Sequence, residues 1–126
     1  MKLCSFNYNN IPSYGLVIDD GIIDLGKRLS EANLREFLAR GNMADIETLR
    51  REAADYDLKE ITYNPVIPNP DKIICAGLNY HAHIEETGRE ETPNPVLFSR
   101  YAGSQIGHNE PLVKPLESDM FDYEGE

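Results

Sequence analysis

Basic residues are scarce in this 126-residue chain: 12 lysines and arginines stand against 22 acidic side chains, for a net charge of −10. A protein that grips phosphate backbones needs the opposite balance, so nucleic acid and anionic membrane surfaces are excluded as partners. Cysteine is limited to Cys4 and Cys75, each inside an apolar strand-like run. Two such residues make no disulfide framework and read as buried free thiols in a reducing compartment. No apolar run approaches the ~20 residues of a membrane span. The N-terminus, MKLCSFNYNN, has no apolar core of a signal peptide, and no Asn-x-Ser/Thr acceptor occurs. The expectation is a soluble, cytoplasmic protein. Before position 65 proline is also nearly missing, with Pro12 the sole example.

What is present suffices for a core. Hydrophobic residues make up 40% of the chain, and a chain of this size buries roughly two thirds of its unfolded surface. Lys2 to Phe6 reads as a strand, followed by a polar turn around Asn9, Asn10 and Pro12. Ser13 to Asp19 reads as another, with Tyr14, Leu16 and Ile18 on one face. Asp20-Gly21 is a hairpin signal, and Ile22 to Leu25 forms the returning arm. Two helices are expected next. Ser30 caps the first, whose Leu34, Phe37 and Leu38 follow helical spacing until Gly41 stops it. The second runs from about Asp45 to Ala54 with Ile46, Leu49 and Ala53 inward. Nothing in this half carries chemistry.

Composition shifts at Pro65, where YNPVIPNPDK places three prolines within six residues. Proline fixes φ and removes a ladder donor, so this is an extended connector. The expected organisation is a small N-terminal α/β domain over 1–64, a connector over 65–71 and the start of a second domain over 72–126, α+β as a whole. Beyond the connector, Val96 to Arg100 is a strand after a turn over Thr92 to Pro95, and residues 103–115 form a long loop. Ser118 to Glu126 alternates, with Met120, Asp122, Glu124 and Glu126 on one face.

Ionisable groups crowd one stretch, KIICAGLNYHAHIEETG, from Lys72 to Gly88. An apolar run stops at Gly77, and a polar segment bearing Tyr80, His81, His83, Glu85 and Glu86 follows it. Asn79 can cap a helix here and Gly88 can end it, so Tyr80 to Thr87 makes about two turns. On that helix His83 and Glu86 are neighbours at i, i+3, and His81 and Glu85 form a competing pair at i, i+4. A carboxylate that orients an imidazole and stabilises its protonated form makes it a better general base. The two histidines lie about 200° apart around such an axis, whereas on a strand they would share a face and could ligate zinc. A helix surface with incidental His and Glu is the plain alternative. His108, beside Gly107 and Asn109, reads as a loop hydrogen-bonding residue. At the C-terminus, Glu124 and Glu126 sit about 6.6 Å apart along a strand face. Two such carboxylates suit an oxygen-loving ion such as Mg²⁺, with a third ligand still needed; a solvated strand edge is the alternative.

Taken together, IICAGLNYHAHIEETG, PNPVLFSRYAGSQIGHNEPLVKP and DYEGE resemble the fumarylacetoacetate hydrolase family, in the branch of isomerase-like and fumarylacetoacetase-domain proteins. The resemblance is strong over Pro68 to Glu126 and weaker over Met1 to Asn64. It implies a mixed, β-rich catalytic fold and divalent-metal-dependent chemistry on a small 2-oxo or β-diketo carboxylate. That chemistry is hydrolysis of a C–C bond, isomerisation or decarboxylation through a metal-stabilised enolate. His83 falls on the family's catalytic histidine and Glu86 on its dyad partner. Glu124 and Glu126 fall on the first two ligands of Mg²⁺ or Mn²⁺, and Tyr80 and Arg100 on substrate-contacting positions. A homodimer is implied at full length. Members normally continue beyond the position of Glu126, through a third acidic ligand. The chain is therefore expected to be the N-terminal part of such an enzyme, inactive alone or active only with the remainder supplied in trans. A non-catalytic assembly domain is the alternative.

Overall fold

The computed structural model describes residues 1–40, 43–90 and 92–120. These divide into two compact units. One comprises the described residues of Met1–Pro70 with Gln105–Pro111, and the other those of Asp71–Ser104 with 112–120.

In the first unit, β1 (Lys2–Tyr8), β2 (Ile11–Ile18) and β3 (Gly21–Asp24) form a meander. It is joined by α1 (Leu34–Arg40), α2 (Ala44–Leu49) and two short strands, β4 (Tyr56–Asp57) and β5 (Thr62–Tyr63). The sheet order is β4-β3-β2-β1-β5. Every neighbouring pair is antiparallel, so this unit is α+β within itself rather than the α/β expected from sequence. Two-residue turns connect its central strands, and no crossover helix links parallel ones.

Both turns are specified locally. Tyr8 pairs with Ile11 across Asn9 and Asn10, whose φ angles are +50° and +63°, the left-handed pair that asparagine tolerates. The second turn differs from the sequence expectation by one residue. Ile18 pairs with Gly21, so Asp19 and Asp20 make the turn, with Asp19 at φ +45°. Gly21 belongs to the strand instead. A Cβ there would lie 2.5 Å from the Ala54 Cβ, so close approach, not turn geometry, demands glycine.

Strand alternation divides the core between two faces. Tyr14, Leu16, Ile23 and Leu25 pack with Leu34 and Phe37 of α1 and Ile46 of α2. Cys4, Phe6 and Ile22 pack on the other face with Tyr56, Ile61 and Tyr63. Phe37 is fully buried, and truncating such a ring costs about 3–5 kcal/mol. The first helix starts later than Ser30. Asn33 Oδ1 accepts from the Glu36 backbone N–H at 3.0 Å, and the Glu36 carboxylate accepts from Ala32 N–H at 3.1 Å. The amide of Asn33 reaches the third residue of the helix, as capping requires; the Ser30 hydroxyl instead donates to Glu31. The stop expected at Gly41 lies outside the described residues. The second helix ends at Leu49 rather than near Ala54, because residues 51–55 return the chain to β4. Asp55 N–H donates to Ile22 O at 2.8 Å, and its carboxylate accepts from Asp24 N–H at 2.7 Å.

The proline-rich stretch is fastened by side chains that reach its carbonyls, since proline offers no N–H. Ser5 Oγ donates to Val66 O at 2.7 Å, Gln105 Nε2 to Ile67 O at 3.3 Å and Arg35 to Asn69 O at 3.1 Å. Residues 105–111 close against β5. The His108 ring meets Tyr63 edge-on at 5.4 Å, and a Cβ on Gly107 would overlap the Tyr63 carbonyl. His108 thus serves as a packing residue of the first unit. Among the described residues, no helix is long and apolar enough to cross a membrane.

Candidate active site

The second unit carries the ionisable stretch. Its frame is an antiparallel ribbon of β6 (Ile73–Gly77) and β7 (Val96–Arg100), with Ile73 opposite Arg100 and Gly77 opposite Val96. Both strands lie where the apolar runs of the sequence place them. From Gly77 the chain turns through Leu78, which sits at φ +55°, a left-handed conformation uncommon for a bulky residue. It then enters α3 (His81–Thr87).

The segment is a helix, so the strand arrangement that would put His81 and His83 on one zinc ion does not form. Among the described residues no group of three or more His, Cys, Asp or Glu side chains is placed to hold a metal. The cap is Tyr80, in extended conformation at φ −123°, rather than Asn79. Tyr80 O accepts the N–H groups of His83 and Ile84, both at 3.1 Å, which fixes the helix start one residue later than a side-chain cap by Asn79 would. The stop is Gly88, left-handed at φ +64°, with its N–H donating to Glu85 O at 3.2 Å.

One turn apart on this helix, His83 Nδ1 stands 3.9 Å from Glu86 Oε2. That is ion-pair range and longer than a hydrogen bond; such contacts commonly tighten only when substrate is present. The His83 side chain is 34% exposed and that of Glu86 81%. The imidazole is half-sheltered, and the carboxylate reaches it from solvent. A neutral imidazole oriented in this way can take a proton at Nε2, with the carboxylate stabilising the cation formed.

His81 faces elsewhere. With Ile84, one turn on, it lines a pocket of about 260 Å³ shared with Ala76, Asn79, Thr92 and Asn94. Neither His83 nor Glu86 lines that pocket. The sequence signal for it was the i, i+3 spacing of His81 and Ile84, which sets them on one helix face. The remaining expected residues are spread along the ribbon. Tyr80 is exposed beside the helix start. Arg100 lies opposite Ile73, four residue pairs from Gly77, or about 13 Å along the strands. Its guanidinium donates to Ser104 O at 3.0 Å. Helical spacing therefore joins His83 to Glu86, while the strand register leaves Arg100 at the far end of the ribbon. Tyr123, Glu124 and Glu126 lie outside the described residues. Residues 118–120 are not part of a strand.

The chain has relatives. Residues 72–126 match the model of the fumarylacetoacetate hydrolase C-terminal domain. Mitochondrial oxaloacetate tautomerase Fahd2a of Rattus norvegicus is 32% identical over 135 residues, which cover 100% of this chain and 43% of that protein. Oxaloacetate tautomerase fahd2 of Xenopus laevis, also named as mitochondrial, is 34% identical over 137 residues, covering 100% of this chain and 42% of that one. The chain thus spans less than half the length of these curated relatives. Its fold is that of a protein assigned as HpcE from Mycobacterium smegmatis. The TM-score against that crystal structure is 0.69, with 24% identity over 89% of this chain and 40% of the other.

Proposed function

We propose, from the premise that the chain belongs to the fumarylacetoacetate hydrolase family, that residues 1–126 supply the proton-transfer half of an enzyme acting on small 2-oxo acids. The observation that carries this reading is the approach of His83 Nδ1 to Glu86 Oε2 on α3. The named activity of the relatives, tautomerisation of oxaloacetate, supports keto–enol interconversion beside the 2-oxo group as the reaction.

The step balances with one base. His83 Nε2 takes a proton from the carbon next to the carbonyl, the C–H electron pair becomes the C=C bond, the C=O π pair moves onto oxygen, and the imidazolium delivers its proton to that oxygen, giving the enol and a neutral ring. In reverse, the imidazolium returns the proton to carbon. Glu86 is the positioning residue, holding the ring and offsetting its charge. Tyr80 is proposed to contact the substrate; Arg100, at the far end of the ribbon, is assigned no contact with so small an acid.

Mg²⁺ or Mn²⁺ fits the donor chemistry proposed for it. Glu124 and Glu126 are carboxylates, the class hard cations prefer, and His83 and Glu86 belong to no three-ligand group among the described residues. These two glutamates would hold the ion with one further ligand. When bound, it would act as a Lewis acid toward the substrate oxygens.

The test is deuterium incorporation at C3 of oxaloacetate in D₂O, catalysed by an enzyme of the relatives' length that carries these residues. Exchange above the spontaneous rate, abolished by His83→Ala, is the expected result. Exchange that survives His83→Ala would remove His83 as the base.

A second reading rests on the first unit. It has a complete two-faced core and none of the proposed site residues, which suits a module for assembly, including the homodimer. Turnover by the 126-residue chain alone would count against a purely assembling role for it.

A further inference from the structure

The two units differ in what holds them together. The first buries ten apolar side chains, among them Phe6, Ile22, Ile23, Leu25 and Phe37 at 0% exposure. No described residue of the second unit is buried. All five residues of β7 are exposed, and so is Ile74 of β6. A two-stranded ribbon is marginal by itself. α3 has only seven residues, with no buried side chain and no side-chain cap; helices below ~12–15 residues gain most of their stability from packing, and here only His83 and Ile84 are even half-buried.

We infer that the site-bearing second unit opens locally, by a low-energy excursion separate from unfolding of the first unit, so that the chain has two stabilities. The inference stands on burial and holds whether or not the proton-transfer reading does. Its functional consequence is that the approach of His83 to Glu86 is sampled rather than fixed. Each opening of α3 dissolves it, and whatever buries the ribbon raises the fraction of time in which the pair exists.

Amide hydrogen exchange on the 126-residue chain, read residue by residue by NMR, tests this. Amides of β1 to β3 should be protected, and those of β6, α3 and β7 at least about 100-fold less so. Ile23→Val, a conservative change in the first core, should lower protection in β1 to β3 by up to about 10-fold and leave the second unit's exchange unchanged. Equal protection in the two units would overturn the inference. So would an Ile23→Val effect that reaches β6 and β7 with the same magnitude.

Discussion

His83 and Glu86 meet at 3.9 Å across one turn of α3, while His81, two residues before His83, points into a separate pocket. Helical geometry alone produces this division, since positions two apart diverge by about 200°. It makes one histidine available to a carboxylate at i, i+3 and turns the other away.

The long, solvent-exposed contact sets the size of the Glu86 effect. Glu86→Gln in an active enzyme should lower kcat on the order of 10-fold or more, less than loss of the base itself, which is worth about 10²–10⁴. KM should stay unchanged, because a positioning residue acts on the step and not on binding. Steady-state kinetics would show this split; an effect on KM alone would make Glu86 a substrate contact instead.

Acid should weaken the first unit through Asp55. Burial by itself would raise this carboxyl. The Arg28 guanidinium hydrogen-bonded to it, the Asp24 backbone N–H and the charges of Arg28 and Lys27 outweigh burial and hold it below its ordinary value. A depressed folded-state pKa contributes stability that is fully present above the unfolded value of about 3.9. That stability is lost as the pH falls through the folded value. Asp55→Asn should cost about 1–3 kcal/mol at neutral pH and flatten the fall in stability below about pH 4. Urea melts at pH 7 and pH 3 would measure both.

The two thiols should react in order. Burial pushes the Cys4 thiol up to about 11, so almost none of it is thiolate at neutral pH. Cys75 is half-buried on the ribbon. A thiol reagent at pH 7.5 should modify Cys75 first and Cys4 only as the first unit unfolds, which mass spectrometry of timed samples would follow. Equal rates would contradict the core placement of Cys4.

Much of this was legible in the residues because it is local. The apolar runs at 73–77 and 96–100, the histidine–glutamate spacing and the stop at Gly88 are set by neighbours in sequence. What could not be read depends on distant partners. The helix is capped by Tyr80 rather than Asn79 and begins at His81 rather than Tyr80, after the chain leaves β6 through a left-handed Leu78, a conformation no propensity assigns to leucine. Strands β4 and β5 are two residues each, held by pairing with β3 and β1 rather than by any pattern of their own. Residues 105–111 read as part of a long loop. Their place in the first unit depends on Gly107 passing close to Tyr63, which only the folded chain reveals. Glu124 and Glu126 remain proposals from resemblance.

The role proposed for His83 is to move the proton and not to hold the metal. In an enzyme of the relatives' length carrying these residues, turnover of oxaloacetate and calorimetric Mg²⁺ affinity should be compared for the parent and His83→Ala. The expected result is a fall in kcat of about 10²-fold or more with Mg²⁺ affinity unchanged. Unchanged turnover, or loss of Mg²⁺ binding with the imidazole, would contradict it.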